Sequence, residues 1–202
     1  MGLLGKSKKE AWNEFAYSIG AEAVDTGAFK RGLVVRLPYK NWEVVMDTYT
    51  VSTGKGTITY TRVRAVFVRG TEFAFKIFRT SLLTKAANFF GRASAKTGDA
   101  EFDAAFTIRS PQESLVQEIF KNEKLKQMLY SLKRVNFFVK KSRGRKETKY
   151  VENENEIHYY MTGIIRDIDK LTLIYGIIID LLNEFEANGI AKSEAPKISY
   201  MT

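Results

Sequence analysis

Between Ile164 and Ala187 apolar residues recur at Leu171, Ile174, Tyr175, Ile178, Leu181, Leu182 and Phe185. Steps of three and four place them on one stripe of a helix. Leu173, Ile177 and Ile179 widen the stripe until only a narrow polar face remains. Such a helix has to be covered on more than one side, and a sheet is the economical cover. A membrane span is the competing reading. It needs about 20 mostly apolar residues, and Arg166, Asp167, Asp169, Lys170 and Asp180 interrupt the window. The stripe therefore predicts a core helix, with roughly 1.5–3 kcal/mol from each large side chain it buries.

The remainder of the 202 residues supplies the strands. Lys8–Ile19 reads as a short amphipathic helix with Trp12, Phe15, Ala16 and Ile19 inward, stopped by Gly20. Glu22–Gly32 gives no clear signal. Leu33–Leu37, ended by Pro38, then Trp42–Val51, Thr57–Arg69 and Glu72–Arg79 are rich in β-branched and aromatic residues. Ser52–Gly56 and Arg69–Thr71 have the composition of hairpin turns. A helix is expected over Ser81–Phe90, a fifth strand over Phe102–Arg109, and a helix started by Ser110 as cap and Pro111 as first residue. Another helix follows over Glu123–Leu132. A second meander is expected from Val135–Lys141, Arg145–Val151 and Glu156–Thr162, turning at Ser142–Gly144 and Asn153–Asn155.

The expected class is α+β: an antiparallel sheet of about seven or eight strands in two meanders, with the long C-terminal helix and shorter helices packed on it. No Pro/Gly/Ser-rich linker divides the chain, so one domain over 1–190 is expected, with 6–97 and 98–190 as an alternative division into subdomains and 191–202 as a polar tail. The two halves have a similar element order, which hints at duplication without any residue-level repeat.

Cysteine is absent, which excludes disulfides and thiolate chemistry and fits a reducing cytoplasm. The N-terminus lacks the apolar run of a secretory signal, and Lys6 stands where a myristoylation site wants Ser or Thr. The net charge is +9, unevenly placed. Residues 121–149 carry 11 basic residues against 2 acidic ones. Basic patches of this kind favour anionic partners such as nucleic acid or an acidic surface.

Gly98-Asp99-Ala100-Glu101-Phe102-Asp103-Ala104-Ala105-Phe106-Thr107-Ile108 resembles the mark of an uncharacterised prokaryotic protein family, Gly-x-x-x-Phe-Asp-x-x-Phe-x-Ile, followed by a polar turn and a helix. Trp42 with Asp47, and Tyr60-Thr61-Arg62, are similar to that family's tryptophan-led strand and Thr-Arg strand. The resemblance covers roughly Trp12 to Leu132 and implies kinship, not a reaction. Many members carry membrane helices ahead of this region, and this chain shows none. On a strand, Phe102, Ala104, Phe106 and Ile108 share a face. The phenylalanines are then expected in the core, with Asp103 accepting backbone or arginine hydrogen bonds.

Chemistry-bearing patterns are sparse. Ser52–Thr57 is a partial match to a phosphate loop, but the upstream glycine is missing and a strand follows. His158 is the single histidine, which excludes a two-histidine metal site, and no Gly-x-Ser-x-Gly elbow exists. Glu152, Glu154 and Glu156 near it read as a solvated hairpin face. Arg62 and Arg64 share a strand face beside Tyr60, either as an anion-binding spot or as a cross-strand pair with Asp47. Lys140, Lys141, Arg143, Arg145, Lys146 and Lys149 surround one hairpin tip, close to Phe137, Phe138 and Tyr150. They suit a nucleic-acid backbone and equally the protection of an edge strand.

These readings favour a binding or scaffold module over an enzyme. No catalytic residues, metal or cofactor are expected. The anion-binding candidates are Lys140, Lys141, Arg143, Arg145, Lys146, Lys149, Arg62 and Arg64. The expected partners are an anionic surface or nucleic acid and further copies of the chain. An apolar ligand held under the long helix is a further reading.

Overall fold

Asp167 opens the long C-terminal helix, its carboxylate accepting a hydrogen bond from the Lys170 backbone N–H at 3.0 Å. The helix runs Ile168–Ala187, so Ile164–Asp167 lead into it. All seven residues of the expected stripe are buried. Ile177 is buried with them, and Leu173 and Ile179 are partly so. The computed structural model describes residues 5–27, 32–81, 94–143 and 150–197, without the side chains of 142, 143 and 150–152. The helix expected from Ser81 to Phe90 lies outside the described residues.

In chain order the elements are α1 (Lys8–Ser18), β1 (Glu22–Asp25), β2 (Leu33–Tyr39), β3 (Trp42–Ser52), β4 (Thr57–Val68) and β5 (Lys76–Arg79). There follow α2 (Ala100–Ala105), β6 (Phe106–Arg109), α3 (Glu113–Ile119), α4 (Glu123–Ser131), β7 (Asn136–Arg143), β8 (Tyr150–Thr162) and α5 (Ile168–Ala187). The strands form one sheet in the order β1-β2-β3-β4-β8-β7-β5-β6. Every ladder is antiparallel. β1–β4 form one meander, but β5, expected next to β4 across a hairpin turn at Arg69–Thr71, lies between β7 and β6, and the expected three-stranded second meander is the two-stranded β7–β8. The two parts join where β4 pairs β8, Val63 opposite Tyr159 and Arg64 opposite His158.

The described helices pack on one face of this sheet. Side chains alternate along a strand, so Val63, Ala65 and Phe67 of β4 meet the helices while Arg62, Arg64 and Val66 face the other way. Phe185 of α5 sits among Phe67, Phe73 and Phe75, with ring centroids 5.4–6.4 Å apart. The space under α5 is filled by these rings and by Tyr175, whose edge meets Phe15 of α1 at 5.0 Å. Trp12 of α1 donates from its indole N–H to the Ile165 carbonyl at 2.8 Å, tying the first helix to the entry of the last. Ser7 and Glu10 form a capping box on α1.

Several elements differ from expectation, each for a local reason. β1 exists although only Ala23 and Val24 signal it; it is held by its ladder with β2. β2 runs through Pro38, which pairs Glu43 of β3. β1 reaches only Arg36, so the missing proline N–H interrupts no ladder on that side. Of Glu72–Arg79 only the last four residues are strand; Phe73 and Phe75 are core residues on irregular backbone.

Phe102–Arg109 is not one strand. Asp99 caps a helical turn by accepting from the Glu101 and Phe102 N–H groups, and the strand starts at Phe106. Phe102 and Phe106 are both buried, with centroids 4.6 Å apart, while Ala104 is exposed. Asp103 accepts from the backbone N–H and the hydroxyl of Thr97, each at 3.0 Å. The next helix starts at Glu113 with Gln112 at the cap, because the Ser110 hydroxyl is used by the Gln112 N–H in a turn around Pro111.

Asn153–Asn155 is not a turn. β8 passes straight through it, with Glu154 and Asn155 buried and paired to Val68 and Phe67. Asn153 has a φ of 65°, and the ladder to β7 shifts register near Lys141 and Arg143. The expected polar tail is anchored at its start: the Lys192 N–H donates to the Val68 carbonyl at 2.9 Å, and Ile190 and Ala191 are buried.

Candidate functional site

The β7–β8 pair outruns the sheet. β5 pairs β7 only from Asn136 to Phe138, and β4 pairs β8 only from Glu154 onward. One further backbone bond, from the Val139 N–H to the Phe75 carbonyl, closes the β7 side. Beyond it β7 has β8 as its one ladder partner among the described residues: Lys140 and Lys141 still pair Glu156 and Asn155, which β4 borders on the other side, and only the Arg143–Tyr150 pair lies past both β5 and β4. The segment 140–149 carries Lys140, Lys141, Arg143, Arg145, Lys146 and Lys149 against Glu147. Arg145, Lys146 and Lys149 lie outside the described residues. Arg143 ends β7, and Lys141 is exposed.

At the base of this ribbon the sheet face turned away from the described helices holds a buried charge network. Asp47 of β3 is fully buried and receives two parallel hydrogen bonds from Arg62 of β4, Nε to Oδ1 and NH2 to Oδ2, both 2.8 Å. Arg64 adds a third at 3.0 Å and reaches toward Glu156 of β8 at 3.9 Å. Lys140 of β7 approaches the same Glu156 at 3.4 Å, and Glu156 Oε1 lies against His158 Nε2. Four adjacent strands thus contribute one charged or titratable layer.

Burial lifts the Glu156 carboxyl above its ordinary 4.5, although Arg64, Lys140 and Arg62 oppose this. Burial, aided by the same three cations, holds His158 well below 6.5. Both shifts have burial as their largest cause, which disfavours the charged form of each group. Phe138 stacks on His158 at 5.2 Å and meets Tyr160 edge-on at 5.7 Å. The aromatic chain continues through Tyr60 to Tyr49, whose ring lies 4.9 Å from the Arg62 guanidinium.

The candidates named from sequence therefore separate into two groups. Arg62 and Arg64 converge on Asp47, the cross-strand arrangement that competed with an anion spot. Lys140 belongs to both groups, ion-paired at the ribbon base with its side chain 40% exposed. Sequence reasoning missed Glu156 and His158 as network members, because it placed a turn next to them and read the glutamates as solvated. The usable signal was the short polar–apolar alternation Glu156, Ile157, His158, Tyr159.

A second polar feature is a notch of about 290 Å³ lined by Asp99, Glu101, Glu123, Lys126, Gln127 and Tyr130. Lys126 lies across it, bonded to Asp99 at 2.8 Å and to Glu123 at 2.5 Å. Among the described residues no group of three or more His, Asp or Glu side chains is placed to hold a metal ion. None of their helices is long and apolar enough to cross a membrane. Comparison with protein-family models, curated proteins and solved structures finds no match.

Proposed function

We propose that this chain is a non-enzymatic binding module whose partner is a polyanion, with nucleic acid as the leading class, held along the basic β7–β8 ribbon. The observation that carries this reading is the run of cations at the end of β7, Lys140, Lys141 and Arg143, past the last β5 pair at Phe138, continued in sequence by Arg145, Lys146 and Lys149. Six cations within ten residues of sequence suit a polymer of charges better than one small anion. A ribbon of this width suits a groove or an extended backbone. Edge protection alone needs a lysine or two on a strand that borders the sheet; here the cations run on in sequence through Arg145, Lys146 and Lys149. The buried charges beneath serve a different end: they hold Lys140 and the strand registers in place. The absence of cysteine supports a cytoplasmic setting for such a module. The Gly98–Ile108 motif supports kinship with the uncharacterised family and adds no activity to this reading.

The test is binding of a labelled single-stranded oligonucleotide and of heparin at two salt concentrations. Affinity should fall steeply with salt, and Arg143→Ala/Arg145→Ala/Lys146→Ala should weaken binding and flatten the salt slope by about one per phosphate contact removed. No binding at low salt, or none lost in the variant, defeats the proposal.

A further inference from the structure

At the opposite end of the sheet a second hairpin has no further ladder partner among the described residues. β2 pairs β3 only as far as Met46, and β8 meets β4 from Thr61, with Gly163 bridging Tyr60. Beyond these, Tyr49–Ser52 and their partners Thr57–Tyr60 form a two-stranded ribbon. Its two faces differ in chemistry. Tyr49, Val51, Ile58 and Tyr60 share one, and Thr50, Ser52, Thr57 and Thr59 the other. Val51 and Ile58 sit opposite each other, 43% and 37% exposed, and the Tyr49 and Tyr60 rings stack beside them at 5.0 Å. From Thr48 to Thr61 the only charged residue is Lys55, in the turn.

An edge strand with unpaired N–H and C=O groups is a template for another strand. Edges that stay single are blunted by charge, proline or a bulge, and Tyr49–Ser52 carries none of these. We propose that the outer edge of Tyr49–Ser52 pairs antiparallel with the same edge of a second copy, building a four-stranded ribbon about a twofold axis.

A second copy is the occupant that the chemistry selects. Antiparallel pairing of a strand with itself is self-complementary, as a twofold interface requires. Each chain carries +9, so two copies repel overall. This ribbon is a stretch where they meet without charge, and the antiparallel arrangement sends the two Lys55 turns to opposite ends. Pairing also continues the apolar face, adding the Tyr49 and Val51 of each copy to one strip. A pairing of four residues from each copy is short beside the roughly 20–30 residues a side of a standard interface, so the dimer is weak and reversible.

Sedimentation velocity of the full chain over a roughly hundredfold concentration range tests this. The wild type should move from the 23.0 kDa monomer toward twice that mass. Val51→Lys should stay monomeric with an unchanged circular dichroism spectrum. Tyr17→Lys, at a 90% exposed position on α1, should dimerise like the wild type. Amide exchange at Tyr49–Ser52 in the wild type should slow as concentration rises, a readout that needs no variant. A wild type monomeric throughout, a Val51→Lys chain that dimerises equally well, or exchange at Tyr49–Ser52 independent of concentration overturns the proposal.

Discussion

Arg62 grips Asp47 from the neighbouring strand through two parallel hydrogen bonds of 2.8 Å, in a place where the carboxylate has no contact with water. A bidentate pair fixes distance and plane together, and its partners sit directly opposite in the β3–β4 ladder. Removing one member strands the other charge in the sheet. Asp47→Ala should lower stability by about 3–5 kcal/mol, as loss of one partner of a buried pair does. Urea unfolding followed by far-UV circular dichroism measures it. A loss under about 1 kcal/mol, the scale of a solvent-exposed pair, would show that the network is hydrated.

Acid should act through His158. Its folded value is depressed below the ordinary 6.5, so the unfolded chain takes up a proton that the folded one refuses. Stability from this group is therefore present above pH 6.5 and is lost as the pH falls below it. Glu156 has the opposite sign. Its folded value is raised, so its contribution is fully present below 4.5 and lost as pH rises through the folded value. His158→Gln should remove the loss that begins near pH 6.5 while leaving the Glu156 contribution. Urea midpoints of wild type and variant between pH 7.5 and pH 5 should converge on acidification; parallel curves would mean that His158 stays charged or exposed.

Two glycines should respond oppositely to alanine. At Gly70 a Cβ would overlap the Gly189 carbonyl oxygen, at the point where the Gly70 N–H donates to the Ile190 carbonyl. Backbone cannot swing aside, so Gly70→Ala should cost about 1–3 kcal/mol. At Gly176, inside α5, the added methyl meets only the terminal Cε of Met128. That end is free to turn, and alanine improves helix propensity by about 1 kcal/mol. Gly176→Ala should be neutral or stabilising by up to that amount. Thermal unfolding of the two variants side by side distinguishes these outcomes.

What the sequence disclosed followed the range of each interaction. The α5 stripe was legible because a helix covered on several sides writes its burial into its own spacing. The hairpins at Ser52–Gly56 and the strands around it were legible for the same local reason. The Phe102–Phe106 stretch misled because residues four apart share a face in a helix and in a strand alike; Asp99, a capping residue before a helical turn, was the overlooked sign. Asn153–Asn155 misled because polar residues normally mark turns, whereas here their strand lies between β4 and β7. The charge network was half visible. Asp47 and Arg62 belong to one hairpin, but Glu156 and His158 join them only through the pairing of β4 with β8, a long-range neighbour that no local pattern identifies.

The polyanion reading is met most directly by amide hydrogen exchange of the full chain with and without heparin. The account predicts slowed exchange concentrated in Val139–Arg143 and Tyr150–Glu152, with α5 and the β3–β4 hairpin unchanged. Protection elsewhere with the ribbon unaffected, or no protection at low salt, would contradict it.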